Sequence, residues 1–434
     1  AYDCLSHIAV PSQSRFPMPN FDWDLVVVGG GAAGYFCAIQ AAEAKPGLRI
    51  AILEKSPKTL GKVKISGGGR CNVTNAEERN KVFLEAYPRG QAFLKKGFQQ
   101  FGPKQTRAWF ESAGMPLKAE ADGRMFPQEN RSEAVLRLFD RKIQSLSIQV
   151  LCKHSLERLE VLETGFSLQV LAEGEPRCWL SRQVVLAMGG IHKESVWEPL
   201  QTLGLARISS VPSLFTFQIP DARLHALSGL SLPQSRVWLQ GDKRRFDGPL
   251  LFTHWGLSGP SILKASAHLA RELAELNYNF AIRVNFLGAE AHESSAWETM
   301  ASHATAHADK QMKNAVPLGL PQRFFLFSLE MLGFDPESRW RDFGASKQRK
   351  WADWMLNASF QCQGKTTFKE EFVTAGGLDL NEIDEHCGLR RYPGLWAIGE
   401  LLDIDGVTGG YNFQAAWTTA WLAAEGIAAF AKPD

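Results

Sequence analysis

Hydrophobic positions along this chain follow two rhythms, and the points where they change divide it. Residues 25–28 (LVVV) form an unbroken β-branched run, as expected of a strand buried on both faces. The run passes through Gly29-x-Gly31-x-x-Gly34 into an Ala-rich stretch that predicts a helix over 32–44, closed by Pro46 and Gly47. Residues 49–53 (RIAIL) predict a second buried strand, ended by Glu54. Residues 81–115 read as helical with a break at Gly102-Pro103, 123–127 as a turn and short strand, and 131–146 as an amphipathic helix. Strands are expected at 148–152, 156–162 and 166–171, the last two joined by a hairpin turn, and at 183–187, which runs into Gly189-Gly190. Beyond His192 the rhythm shortens. Strands at 215–219, 236–240, 250–253 and 280–286 alternate with loops, FTHWGLSGPSI suggests a turn and then a helix from Pro260, and 297–355 is mainly helical. The first style returns with strands at 372–377 and 394–399 and an Ala-rich helix over 413–430.

The opening strand–helix–strand carries a dinucleotide fingerprint in its required context. Gly29 permits the tight turn, Gly31 lets backbone amides approach a pyrophosphate, and Gly34 lets helix and strand pack closely. The helix N-terminus offers unpaired N–H groups and partial positive charge to the phosphates. Glu54, twenty residues after Gly34, is placed to accept hydrogen bonds from a ribose diol, which favours FAD or NAD over NADP. No second such fingerprint follows a strand, so one built-in dinucleotide site is expected. Three glycines in a row, Gly67–Gly69, followed by Arg70, Cys71 and Asn72, read as a loop that lets backbone lie against a flat or anionic ligand; the alternative is a plain linker. The pair Gly409-Gly410 at the start of the last helix aims amides and dipole at an electron-rich group in the same way.

Composition narrows the class. The chain has 434 residues, 45% hydrophobic and 22% charged, with a net charge of +2, an ordinary globular balance with no global field for nucleic acid. Local basic clusters occur at Lys55, Lys58, Lys62, Lys64 and Arg70, and again at Arg339, Arg341, Lys347, Arg349 and Lys350. Seven cysteines without regular spacing point to a reducing, cytoplasmic compartment, and the lack of C-x-x-C argues against a dithiol redox centre. No Cys/His spacing suits a metal, and no apolar run reaches membrane-spanning length, so neither metal nor membrane is expected. The expected fold is α/β: an FAD/NAD(P)-binding Rossmann-like domain built from both chain ends, with an inserted domain of β-rich and helical parts. Its divisions are a flexible leader (1–21), the first part of the nucleotide domain (22–191), the insertion (192–367; β-rich to about 290, helical over about 291–360) and the second part (368–434).

DLVVVGGGAAG, KISGGGRCNVTN, VVLAMGG, FTHWGLSGP, FVTAGGLDLNEI and PGLWAIGELLDIDGVTGGYNFQAAW, in this order, resemble the BaiN/RdsA family of FAD-dependent oxidoreductases. The resemblance implies that Gly29, Gly31, Ala32, Ala33, Gly34, Glu54 and Lys55 hold the ADP part of FAD. Lys62, Ser66, Gly67, Gly68, Gly69, Arg70 and Asn72 would lie by the flavin and pyrophosphate, and Ala187 and Gly189 on the adenine side. Gly399, Glu400 and Asp403 would reach the ribityl chain, and Gly409, Gly410, Tyr411 and Asn412 the pyrimidine edge of the flavin. The family pattern has a longer Gly/Ser-rich loop where Gly190-Ile191 here passes directly to His192, so either the loop is short or a segment is missing from the sequence.

The implied activity is reduction of a conjugated C=C or C=O by hydride from flavin N5, with NADH or NADPH as transient donor. Cys71, His254 and Tyr411 are the candidate proton donors. Family activities leave two substrate classes open, a small enone and a uridine of ribosomal RNA, for which the basic clusters and the 27 Phe and 13 Trp would supply phosphate contacts and stacking. A non-catalytic flavin-binding redox sensor is the third reading.

Overall fold

The computed structural model describes residues 20–366 and 373–430; the expected leader up to residue 19 and the expected boundary at 367/368 lie outside the described residues, as does Phe372. Phe21, the last residue of that leader, is buried beneath the Arg182 guanidinium.

The fingerprint strand β1 (Trp23–Val28) leads into helix α1 (Ala32–Ala44) and then β2 (Ile50–Glu54). β1 lies parallel between β2 and the end of the long strand Glu175–Leu186; Gln149–Cys152 flanks β2, and Leu395–Ala397 flanks the long strand. Registers Val28↔Leu53, Val28↔Leu186 and Ala397↔Leu186 align the carboxyl ends of four strands on one edge. The first half of Glu175–Leu186 pairs antiparallel with Phe166–Ala172, which pairs with His154–Val161. The sequence pattern signals only the end of this strand, because residues 175–180 (EPRCWL) sit largely in solvent and carry no buried run.

α1 and the last helix, Tyr411–Ala429, are buried over most of their circumference. Their alanines allow close approach, and neither needs an amphipathic stripe. Phe36 of α1 locks the contact, its ring 5.3 Å from Trp417 and 4.7 Å from Trp109.

A second hydrophobic cluster spans Phe215 to Cys362. There a seven-stranded antiparallel sheet has the order Ala358–Gln363, Asn279–Asn285, Ser231–Leu239, Phe246–Thr253, Gly256–Ser258, Thr216–Gln218, Lys365–Thr366. One face is covered by aromatic contacts such as Phe286–Phe324 (4.9 Å) and Phe252–Phe324 (5.7 Å) from helix Gln322–Leu332. Ala358–Gln363 begins inside the stretch, 291–360, where a helical part is expected and runs past its end. Its strict alternation, with Ala358, Phe360 and Cys362 buried and their neighbours exposed, has the strand period. The two segments that connect the clusters pair with each other: Arg207–Ser213 lies antiparallel to Val373–Leu378, with a bulge between Ile208 and Val211. RISSVPS carries no apolar alternation that would announce a strand.

Candidate active site

The carboxyl edge of the parallel strands gathers the glycine-rich segments, the location expected for a ligand in an open α/β sheet. Gly29 has φ +119°, and a Cβ there would lie 2.2 Å from the Ala187 carbonyl oxygen, so only glycine lets the two strand ends come this close. A Cβ at Gly34 would lie 2.0 Å from the Gly29 oxygen. At Gly31 nothing lies within 4 Å of a Cβ position. α1 begins there with no side-chain cap and no acidic residue in its first turn, so its amide groups are left to an anion. The Glu54 carboxylate is half-buried. Oε2 accepts the Gly30 amide (3.0 Å), and Oε1 accepts the Ser56 amide (2.8 Å) and hydroxyl (2.6 Å). Lys55 points to solvent.

The next segment begins as a helix at Gly61 and leaves helical geometry at Ser66, after which Gly67, Gly68 and Gly69 all have positive φ. The Ser66 carbonyl accepts the Cys71 amide (3.0 Å), closing the loop. Arg70 lies 4.0 Å over the Phe126 ring and bonds Glu120 at 2.6 Å. Asn72 is buried and its Oδ1 accepts the Met125 amide.

The C-terminal segment docks onto this loop. Gly410 has φ +92°, and a Cβ would meet the Thr74 carbonyl oxygen at 2.4 Å. Asn75 donates to the Gly409 carbonyl (3.2 Å). Buried Gln414 accepts from Thr74 Oγ1 at 2.7 Å. Asn412 uses both ends of its amide on Gly406, each at 2.8 Å, and so fixes the loop before the helix. Lys62 Nζ lies 2.6 Å from Glu400 Oε2, while Glu400 Oε1 accepts the Thr374 amide at 3.1 Å. Gly399 follows strand Leu395–Ala397 and approaches Ala33 of α1. Gly189 has open space about it. Asp403 turns to the second cluster and takes both of its hydrogen bonds, each 2.8 Å, from Arg271. Asp405 is fully buried; it pairs bidentately with Arg89 and accepts from Ser213 Oγ at 3.0 Å, while Arg89 also bonds the Ala267 carbonyl at 2.8 Å.

The three candidate proton donors lie in different surroundings. Cys71 is fully buried with φ +58°, and burial pushes its thiol up to about 12. Tyr411 opens the last helix half-buried, its ring 4.8 Å from Phe83, and burial raises its phenol. His254 is exposed on the turn between Phe246–Thr253 and Gly256–Ser258. Thr374, Asn75, Gln414 and the Arg89–Asp405 pair were not picked out from sequence, since each takes its meaning from a partner distant in the chain. Among the described residues no three His, Cys, Asp or Glu side chains assemble as metal ligands, and no helix is long and apolar enough to cross a membrane.

A parallel sheet with one glycine-lined edge and two uncapped helix N-termini aimed at it defines a Rossmann-type dinucleotide-binding protein. The chain belongs to the family described as HI0933-like protein Rossmann domain, whose profile matches residues 23–426, and thereby to the BaiN/RdsA group of FAD-dependent oxidoreductases. It is 27% identical over 419 residues to a ribosomal RNA dihydrouridine synthase of Escherichia coli K12, covering 94% of this chain and 98% of that one. It is also 27% identical over 422 residues to a 3-dehydro-bile acid delta(4,6)-reductase of Clostridium scindens, covering 94% and 99%. A solved 3-ketosteroid-delta4-(5alpha)-dehydrogenase of Rhodococcus jostii RHA1 shares the fold, with TM-score 0.53, 15% identity and coverage of 94% and 98%. The chain is an FAD-dependent oxidoreductase.

Proposed function

We propose that this chain is a reductase that uses NADH or NADPH to saturate a C=C conjugated to a carbonyl. Bound FAD supplies the hydride chemistry, taking two electrons from the nicotinamide and returning them to the acceptor. The chain's residues bind, orient and protonate. α1 and the Gly29–Gly34 turn would hold the pyrophosphate, Glu54 the adenosine ribose, and Lys62 with the Ser66–Asn72 loop the phosphate and ribityl side. Gly409–Asn412 would lie at the flavin's pyrimidine edge, where the helix N-terminus stabilises negative charge by up to about 2 kcal/mol in a buried setting. Tyr411 is the proton donor of this reading, because it opens the last helix half-buried, with a phenol that is protonated at neutral pH and that burial raises further. Cys71 is enclosed, and His254 sits on an exposed turn. The insertion at 192–367 would act as the substrate-bearing cap, in a reducing, cytoplasmic setting; the six cysteines described are free thiols.

The observation that carries this reading is the convergence of chain-distant segments: Gly29 on Ala187 and Lys62 on Glu400 at the carboxyl edge of the parallel sheet, and Gly410 on Thr74, whose short strand pairs with Arg124–Pro127 in a separate small sheet. The test is an anaerobic visible spectrum of the purified, FAD-loaded protein through additions of NADH and then NADPH. Bleaching by either, followed by reoxidation with an enone, is expected; a spectrum untouched by both removes the nicotinamide donor. Tyr411→Phe should bleach normally and reoxidise at least tenfold more slowly, and unchanged reoxidation removes Tyr411 as donor.

The full-length similarity to a ribosomal RNA dihydrouridine synthase favours a second reading, in which the acceptor is a uridine of ribosomal RNA, whose C5=C6 bond is conjugated to a carbonyl. Deletion of the gene should then remove a dihydrouridine from ribosomal RNA and complementation restore it; an unchanged RNA profile excludes this acceptor.

A further inference from the structure

The antiparallel sheet has two unlike faces. One packs against helices; the other is open, as the alternation along Ala358–Gln363 and Asn279–Asn285 shows. Its solvent side is not merely polar. The Arg245 guanidinium lies 4.6 Å over the ring of Trp238, which remains partly exposed near the end of its strand. Arg236 and Arg283 lie on the same face, since Trp238 pairs with Arg283, and Arg236 with Asp247. The cation pattern continues through Lys243 and Arg244 in the turn between Ser231–Leu239 and Phe246–Thr253.

The carboxylates along this strip are mostly engaged. Asp247 pairs with Arg236 at 2.7 Å, and Asp242 and Glu272 both pair with Arg244, at 2.6 and 2.7 Å; Glu290 acts on Arg236 from the rim. Among the described residues Lys243, Arg245 and Arg283 form no direct ion pair, although the Asp242 carboxylate acts on Arg245; the hydrogen bonds of Arg245 and Arg283 go to backbone carbonyls. Arg244 also bonds the His268 carbonyl, and Arg271, beside Glu272, reaches Asp403 in the loop between Glu400 and Gly409. A run of contacts thus links the turn, through Arg244, Glu272 and the adjacent Arg271, to the loop that carries Asp403.

From this the geometry points to the open face of the sheet, from Arg283 across Trp238–Arg245 to Lys243, as a docking surface for folded RNA. A half-buried aromatic capped by a guanidinium holds that cation's flat face as a stacking platform for an unpaired base, and the cations around it without a direct ion pair suit phosphates. A small hydrophobic acceptor would need neither. A strand docked there and continued past Arg244 and Arg271 toward Asp403 would present a base to the flavin edge. This inference rests on the ribosomal RNA reading of the active site, and its test separates the two.

The experiment measures fluorescence anisotropy of a labelled RNA stem-loop with uridines in its loop, titrated with FAD-loaded protein over a series of salt concentrations. Arg245→Ala/Arg283→Ala should weaken binding about tenfold and reduce the log–log salt slope by about two. Trp238→Ala should weaken it about tenfold with the slope unchanged. Lys95→Ala/Lys96→Ala, on helix Gln91–Gln100 outside the sheet, should bind as wild type; all variants should retain the flavin spectrum. Failure of the wild type to bind, strip variants that bind like wild type, or a control that weakens equally would each overturn the inference. Equal affinity for heparin or for anionic vesicles with the same variant pattern would also overturn it, by showing a generic polyanion surface. Binding through the strip without dihydrouridine formation would sink the RNA reading of the active site and leave the docking surface standing.

Discussion

Lys62 Nζ lies 2.6 Å from Glu400 Oε2, although 338 positions separate them in the chain. The same carboxylate accepts the amide of Thr374, which is 2% exposed, in the strand that returns from the second hydrophobic cluster. Glu400 thus ties the segment after β2 to the connection between the clusters. Lys62 is largely exposed, so its ion pair contributes less than about 1 kcal/mol. Loss of the acceptor for a buried backbone N–H costs more, about 1–3 kcal/mol. Glu400→Ala should therefore unfold at lower urea than wild type by that amount, while Glu400→Gln, which keeps an oxygen for Thr374, should lie near wild type. Equal midpoints for the two variants would show that the amide contact carries no weight.

Gly29 and Gly31 should separate folding from cofactor retention. A Cβ at Gly29 collides with a backbone carbonyl that cannot move without displacing a strand end, so Gly29→Ala should yield little folded protein. A Cβ at Gly31 meets open space in the protein itself. Gly31→Ala should fold with its apoprotein stability within about 0.5 kcal/mol of wild type, as for a surface change, yet purify with little flavin. Full flavin occupancy in this variant would mean that the pyrophosphate does not approach Gly31.

Asp405 and Arg89 form a buried ion pair where both clusters meet, with Ser213 and the Ala267 carbonyl completing it. Removal of one partner strands a buried charge and costs about 3–5 kcal/mol. Arg89→Met and Asp405→Asn should each be strongly destabilised in chemical unfolding, and the double variant less so than the sum of the two. Additive losses would show that the pair is not coupled.

Cysteine reactivity should follow burial. Cys178 is exposed, whereas Cys71 is enclosed, with its thiol pushed up to about 12 by loss of hydration. Thiolate is the reactive form. Iodoacetamide at pH 8 followed by peptide mapping should label Cys178 in the native protein and Cys71 only after unfolding. Native labelling of Cys71 would show that its loop opens.

Several features were legible in sequence because they are local. The β1–α1–β2 unit, the non-helical glycine run at Gly67–Gly69 and the helix after Gly410 each carry their signal within one continuous stretch, where period, glycine placement and helix ends act over a few residues. Arg207–Ser213, the first half of Glu175–Leu186 and Ala358–Gln363 are not announced as strands by sequence, since the first two are polar and the last follows directly on helix Ala345–Asn357 with no turn residue between them. Their partners Val373–Leu378, Phe166–Ala172 and Asn279–Asn285 supply the hydrogen bonds that make them strands.

Sequence alone determined that the chain carries a dinucleotide fingerprint, resembles a flavoenzyme family and returns at its C-terminus to the style of its start, for those properties reside in contiguous motifs. Tertiary structure decided which motif residues meet. It brought Lys62 to Glu400, turned Asp403 toward Arg271, enclosed Cys71, tied Arg70 to Glu120 and left His254 on an exposed turn. The contacts among them join positions from 50 to 338 residues apart, where the burial and charge of a side chain are set by partners that its own neighbourhood in the sequence does not contain.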